Sequence, residues 1–338
     1  MRHNNPAIVQ FLIVGSLIDC PRTRSYDGII TSLTHLSGTL CGVKDSHLVC
    51  QGRITRSAPS NDPLLSNLHS VAIAEHHVCV LRDDRNMYCA TRSLSTQDIE
   101  PDFQLISADV IEISASLTRV CFATSMGIGC LGSDPCAPNA SSGVYMLSGS
   151  AGIHGLSVSA TTVCGLRSSG AAFCWGINSG QKLTQNAGDY QCLAGIQVFD
   201  NCSLIVDADN YICCADLPER RIYCRGSISW LDRHGDSTEY ADLRLSNNDE
   251  PVQLHAGFYA VCARMRSGLV RCWGIPVPGT RRRDGTVLFN GRSSFMLTHH
   301  GGICVVVSSR EVYCIGDDPV DIDNVSPRVL RDWGSIWM

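Results

Sequence analysis

Residues 163–176 read VCGLRSSGAAFCWG, and residues 261–274 read VCARMRSGLVRCWG. The frame is the same in both. An aliphatic residue precedes a cysteine, a polar tip with a glycine follows, and a second cysteine ten residues on leads into Trp-Gly. Weaker copies appear on either side, giving seven pairs: Cys41/Cys50, Cys79/Cys89, Cys121/Cys130, Cys164/Cys174, Cys214/Cys224, Cys262/Cys272 and Cys304/Cys314. Leu40, Val78, Val120, Val163, Val261 and Ile303 stand before first cysteines, and Gly52, Gly132, Gly176, Gly226, Gly274 and Gly316 follow second cysteines by two. In the fifth copy the aliphatic residue, Ile212, precedes Cys213, so Cys213 and Cys214 compete for the repeat position. The spacing within pairs, nine or ten residues, favours Cys214, because an eleven-residue pair would need a bulge.

First cysteines recur over six intervals between Cys41 and Cys304, about 44 residues apiece. A period of this size with short strands is the signature of a propeller. The segment between paired cysteines reads as a hairpin, with apolar flanks around a tip such as Arg167-Ser168-Ser169-Gly170. Another short apolar stretch, for example Val71-Ala72-Ile73-Ala74, lies upstream of each hairpin. About four strands per unit make one blade, and blades bury both faces only by stacking around an axis. The expected fold is therefore all-β, a seven-bladed β-propeller with intra-blade disulfides over residues 21–338, its hairpins near 41–50, 79–89, 121–130, 164–174, 214–224, 262–272 and 304–314. The terminal run from Arg328 to Trp337 reads as a strand closing the ring against the first blade, or as the start of a further unit.

Directly opposed residues of an antiparallel hairpin bring their Cα atoms within disulfide reach. Each such bond closes a loop of about ten residues, worth ~2–3 kcal/mol in the chain-entropy picture. The alternatives are reduced, buried cysteine serving as a small hydrophobe and zinc, which asks for close Cys-x(2–4)-Cys knuckles that this chain lacks. Beyond Cys20, which falls in the segment read below as an export signal, Cys136, Cys192, Cys202 and one of Cys213 and Cys214 stand outside the pairs. Cys202 and Cys213 are the candidates for a further bridge, and connectivity is not readable from spacing alone.

Disulfides call for an oxidising compartment. Residues 1–20 fit an export signal: Arg2 and His3 precede an apolar run from Ala7 to Ile18, with small residues at exits after Ser16 or Cys20. A first buried strand is the other reading of that run. Acceptor sequons at Asn139, Asn201 and Asn324 agree with export and N-glycosylation. Charged residues are only 17% of the chain and the net charge is −5, which gives no nucleic-acid surface. No later apolar run is long enough for a membrane span.

The pattern aliphatic-Cys-x-Leu…Gly…Cys-Trp-Gly resembles the repeats of regulator-of-chromosome-condensation propellers. Its cysteine-paired form, best seen from Ser37 to Cys50, resembles the ectodomain of CRINKLY-type receptor-like kinases of plants. The resemblance spans roughly residues 28–338. Departures are visible: Trp-Gly survives only at Trp175-Gly176 and Trp273-Gly274, and the second copy has Ala90-Thr91 in place of x-Gly. The kinase signatures of that family are missing from this chain. The resemblance implies a secreted or cell-surface recognition module that takes a peptide or protein ligand through propeller loops, together with a receptor partner.

Catalytic chemistry is sparse. Glu75-His76-His77 and His299-His300 sit at strand entries, where a structural role is the simpler reading than a metal or catalytic one. Arg281-Arg282-Arg283 reads as a solvated loop tip or a docking patch. Gly42 and Gly165 are expected to let blades pack closely, and Trp175 and Trp273 to pack between blades rather than bind sugar. With no HExxH, GxSxG or phosphate loop, no catalytic residue, metal or cofactor is expected. Three functions compete: the ligand-binding ectodomain, a secreted inhibitor or lectin-like binder, and a guanine-nucleotide exchange factor by fold analogy.

Overall fold

The computed structural model describes residues 30–36, 39–52, 63–92, 99, 102–134, 136, 143–228, 241–245, 249–257, 260–274, 286–289, 293–299, 302–307, 311–315 and 328–330. Residues 1–20, Asn139, Arg281-Arg282-Arg283, His300 and Asn324 lie outside them. The described residues form seven antiparallel sheets, and in each the strands follow one another in chain order. Sheet one holds Ile30–Leu36, Thr39–Lys44 and His47–Gly52. Sheet two runs Leu68–Ile73, His77–Arg82, Met87–Thr91 and Gln104–Ser107, and sheet three Glu112–Ala115, Arg119–Thr124, Gly127–Gly132 and Val144–Met146. Sheet four is Ile153–Val158, Thr162–Arg167, Ala172–Ile177 and Cys192–Phe199; sheet five is Leu204–Asp207, Tyr211–Asp216, Arg221–Gly226 and Ala241–Arg244. Sheet six comprises Pro251–Ala256, Ala260–Met265, Val270–Gly274 and Thr286–Phe289, and sheet seven Ser293–His299, Gly302–Val307, Glu311–Ile315 and Arg328–Leu330.

The first strands neighbour one another in turn, and that of sheet seven lies beside that of sheet one, so the array closes on itself around an axis. This is a propeller. Its closure differs from the sequence expectation. Arg328–Leu330 pairs with Glu311–Ile315 as the outer strand of the last sheet and adds nothing to the first. Each sheet is thus built from one continuous stretch, and the ring is held by packing between first strands.

Apolar clusters fill the seams between neighbouring sheets. Val43 and Leu48 of sheet one meet Val71 and Val78 of sheet two, and Val206 and Ile222 of sheet five meet Leu254 and Val261 of sheet six. The paired cysteines belong to these seams. In register, Cys41 faces Cys50, Cys79 faces Cys89, Cys121 faces Cys130, Cys164 faces Cys174 and Cys262 faces Cys272. All five pairs are bonded, with Cα atoms 4.0–4.1 Å apart, the close approach of a non-hydrogen-bonded rung. Cys304 faces Cys314 in the backbone register of sheet seven.

Sheet five corrects the pairing. Cys213, not Cys214, faces Cys224 and is bonded to it, while Cys214 bonds Cys202. No bulge is needed, because the separation of a cysteine pair sums the residues between each cysteine and the turn with the turn itself. The turn is two residues (45–46) in sheet one, where the separation is nine, and four residues (217–220) in sheet five, where it is eleven. Adjacent strand residues point to opposite faces. Cys213 therefore lies in the seam toward sheet six and Cys214 in the seam toward sheet four.

The repeat glycine has a steric reason. Gly132, Gly176 and Gly226 have φ of 122°, 131° and 111°. A Cβ there would come within 2.4, 2.2 and 2.4 Å of the carbonyl oxygens of Thr118, Thr161 and Asn210 in the turn between the first and second strands. Gly165 acts differently from the expectation. A Cβ on it would strike Ile153 Cγ2 at 2.3 Å in its own sheet, so it makes room for the irregular first strand of sheet four rather than for a neighbouring blade. Trp175 packs into the seam between sheets three and four, its Nε1 donating to Ser148 O at 2.9 Å, and Trp273 is fully buried between sheets five and six.

Candidate functional site: the long-loop end and the central channel

The two ends of the ring differ. Turns between second and third strands hold two residues (45–46, 125–126) or four (83–86, 168–171, 217–220, 266–269). At the opposite end, the connections from third to fourth strands in sheets two to seven hold eleven to fourteen residues. Function concentrates on loops carried by a rigid scaffold.

Among the described residues the 178–191 loop is one such connection traced from end to end. Its centre is the buried Asn178 side chain. Oδ1 accepts from Leu183 N (2.9 Å) and Thr184 N (3.1 Å), and Nδ2 donates to the carbonyls of Thr184 (2.8 Å), Ala187 (3.3 Å) and Gly188 (3.3 Å). Asn178 N donates to Gln191 O at 2.8 Å and closes the loop. Asp189 Oδ1 accepts from Gly180 N (2.9 Å) and Tyr190 N (3.1 Å). The loop is therefore pre-organised although it is long. It presents Tyr190, 70% exposed and at φ 63°, a left-handed conformation that a bulky side chain rarely holds without surrounding constraint.

Beneath this end runs a buried polar chain that crosses four sheets. Arg119 pairs with Asp134 at 3.4 Å and donates to Ser159 O at 3.3 Å. Lys182, pointing inward from the 178–191 loop, donates to Asp207 Oδ1 at 2.7 Å and to Thr161 Oγ1 at 3.2 Å, with a further bond to Ala208 O. Thr162 Oγ1 donates to the same Asp207 carboxylate. Burial pulls the Lys182 pKa below its ordinary value, against the opposing pull of Asp207. Tyr211 shares its hydroxyl proton between Gly257 O (2.6 Å) and Ala260 O (2.8 Å), and burial raises its pKa well above the ordinary value. Arg119, Thr162 and Tyr211 each stand two residues before the first cysteine of their repeat, and each reaches into the next sheet. That shared position is the signal by which sequence reading could have found them; Lys182 and Asp207 offered none.

A cavity of about 710 Å³ lies on the axis, lined by the first strands of sheets one to six. First strands are sheet edges, and their outward N–H groups need partners. Side chains of the preceding sheet supply them. Val71 N donates to Ser32 Oγ (3.3 Å), Ile73 N to Thr34 Oγ1 (3.4 Å) and Asp207 N to Ser157 Oγ (2.7 Å). Glu112 faces the backbone N–H groups of Gly155 and Leu156, and burial raises its pKa against their pull. In sheet six, Arg264 Nε donates to Gln253 Oε1 at 3.2 Å and Gln253 Nε2 lies 2.9 Å from His255 Nε2. Burial, with Arg264 nearby, lowers the His255 pKa to about 4.

The sequence candidates fall as follows. Glu75 N donates to Leu117 O of the next sheet, and His76 O accepts from Arg92 N, both at 2.8 Å, so this cluster ties backbone turns together. Burial and His76 hold the His77 pKa down. Among the described residues no group of three histidine, cysteine or acidic side chains is arranged to hold a metal. Asn201 is exposed in the link between sheets four and five, beside the bonded Cys202. Cys136 bonds Cys192, joining the third-to-fourth-strand connection of sheet three to the outer strand of sheet four. Among the described residues no helix is long and apolar enough to cross a membrane.

No protein-family model and no curated protein sequence matches the chain. Solved structures do. Human WBSCR16 superposes with a TM-score of 0.66 at 13% identity, over 83% of this chain and 87% of that one. Prp20p of Saccharomyces cerevisiae gives 0.62 at 12% identity, over 87% and 84%. The CRINKLY WD40 ectodomain of the Arabidopsis thaliana receptor kinase ACR4 gives 0.55 at 17% identity, over 87% of this chain and 100% of that one. The fold is that of RCC1-like propellers, and it resembles that of plant receptor-kinase ectodomains.

Proposed function

We propose that this chain is an extracellular recognition module, not an enzyme, that binds a peptide or protein through the long-loop end of its ring. The observation that carries the reading is the 178–191 loop. Fourteen residues are locked around one buried asparagine, and the outer side carries Tyr190, Asn186, Gln185 and Gln191, all exposed. Exposed tyrosine and amide side chains on an ordered loop are the composition of a recognition surface that loses little entropy on binding. Bonded cysteines in sheets one to six support an oxidising compartment, as does the likeness to the ACR4 ectodomain. Prp20p is described with binding properties toward Gsp1p and histones; an intracellular exchange role for this chain would require the same cysteines to be reduced.

The test has two parts. The full chain, tagged at its C-terminus, is expressed in a secretory host; the reading expects it in the medium, without residues 1–16 or 1–20, and an intact Met1 on intracellular material overturns it. The secreted protein is then screened against arrayed extracellular domains and peptides, beside a variant carrying Gln185→Ala, Asn186→Ala and Tyr190→Ala. Binding should vanish in the variant and survive changes at the 125–126 turn. The reverse pattern overturns the assignment of the binding end.

A further inference from the structure

We propose that the Cys136–Cys192 bond is a thiol–disulfide exchange site, reduced by a dithiol reductant of the thioredoxin class, and that its opening loosens the long-loop end while the propeller stays folded. The first observation is exposure. The other fourteen bonded cysteines of the described residues are at most 9% exposed, whereas Cys192 is exposed and Cys136 half-buried. Exchange begins with a thiolate approaching one sulfur along the S–S axis, so access decides which bonds react. Hairpin disulfides facing into seams between sheets give no such approach.

The second observation is position. The hairpin bonds join strands already paired in one sheet, and Cys202–Cys214 spans only 12 residues, but Cys136–Cys192 spans 56 residues and ties the periphery of sheet three to that of sheet four. Cys192 directly follows Gln191, whose carbonyl closes the 178–191 loop. Cys136 N is held by Asp134 Oδ1 at 2.8 Å, and Asp134 also pairs with the buried Arg119. Cutting the bond removes a tie from both. The seam between sheets three and four keeps Trp175, Ile128, Val158 and Cys121–Cys130.

A reductant thiolate attacks Cys192 Sγ, forming a mixed disulfide and releasing Cys136 as thiolate. The second thiol of the reductant, deprotonated, attacks its own sulfur in the mixed disulfide and releases Cys192 as thiolate. The reductant leaves oxidised to its disulfide, two electrons have passed to the protein, and the two thiolates take up the two protons given up by the reductant. None of this depends on which ligand the loop end takes.

The probe is dithiothreitol, in graded amounts on the native full chain. Free thiols are trapped with iodoacetamide, and the protein is then unfolded, fully reduced, labelled with N-ethylmaleimide and mapped by mass spectrometry. Cys136 and Cys192 should take the first label at least about tenfold faster than any other cysteine. The melting transition should persist, and limited proteolysis within 178–191 should increase severalfold. The double variant Cys136→Ser/Cys192→Ser should show the same proteolysis without reductant. If that variant fails to fold, the wild-type protein reduced and alkylated at these two positions supplies the measurement. Labelling of hairpin cysteines at a comparable rate, resistance of Cys136 and Cys192 until global unfolding, or unchanged proteolysis after their reduction each overturns the proposal.

Discussion

Replacing Lys182 by Met tests whether the buried polar chain holds sheets four and five together. The substitution keeps side-chain length and removes the ammonium. Asp207 then keeps Thr162 Oγ1 but loses its only counter-charge among the bonds described, in a place where both side chains are 0% exposed. Removing one member of a buried ion pair leaves an uncompensated charge and typically costs about 3–5 kcal/mol. Unfolding entropy for a chain of 338 residues is about 0.7 kcal/mol/K. A loss of about 4 kcal/mol therefore lowers the melting temperature by about 6 °C. The double variant Lys182→Met/Asp207→Leu removes both desolvation penalties, and it should recover to within about 2 kcal/mol of wild type. Thermal and guanidinium unfolding of the wild type, both single variants and the double variant at neutral pH gives the coupling directly. A Lys182→Met protein within about 1 kcal/mol of wild type, or a double variant that falls by the sum of the singles, would refute the reasoning.

Cys213→Ser should leave Cys224 free to react with a thiol probe under denaturing, non-reducing conditions, and Cys214→Ser should leave Cys202 free; the opposite pattern restores the pairing that spacing suggested. The folded pKa of His255 lies at about 4, below its unfolded value of 6.5, so the unfolded chain binds more protons between those values. Stability should fall as pH drops through that window, by up to about 3 kcal/mol, and His255→Gln should flatten the pH dependence of the melting temperature; an unchanged slope counts against burial of a neutral imidazole. Gly176→Ala places a Cβ 2.2 Å from Thr161 O at φ 131°, and should cost about 2 kcal/mol or more in chemical unfolding. Wild-type stability in that variant would mean that the turn moves aside freely.

The hairpins were legible because a cysteine pair records two strands and the turn between them. In 163–176 and 261–274, aliphatic, cysteine and glycine positions all report one local geometry. The misreading in sheet five has the same origin. Spacing sums strand offset and turn length, and in sheet five three steps on each side of the 217–220 turn give eleven. The place of Ile212 before Cys213 carried the better information, since it keeps the aliphatic residue and the paired cysteine in the register seen in the other sheets. Arg328–Leu330 was legible as a strand but not in its partner, because a short apolar segment does not encode which edge it joins. The candidate site was the least legible. Lys182 and Asp207 are 25 residues apart, in a loop and a first strand, and only the stacking of sheets brings them together. The role of Asn178 as the centre of a loop depends on five backbone groups that converge on it, which no local sequence pattern encodes.

The hydroxyls and the carboxylate along the central channel make the ring directional and its units non-interchangeable. Ser32 and Thr34 suit the edge of sheet two, Glu112 the Gly155–Leu156 kink of sheet four, and Ser157 the edge of sheet five. The repeats look alike along the chain, yet each carries a key cut for the unit that follows it. A circularly permuted chain, opened in a link between sheets, keeps every key with its lock. A chimera that exchanges sheets two and four does not: Ser32 and Thr34 would then meet the edge of sheet four, and Glu112 that of sheet two. The order of the repeats is thus written on the axis of the molecule, where the cysteine pattern that announces them does not reach.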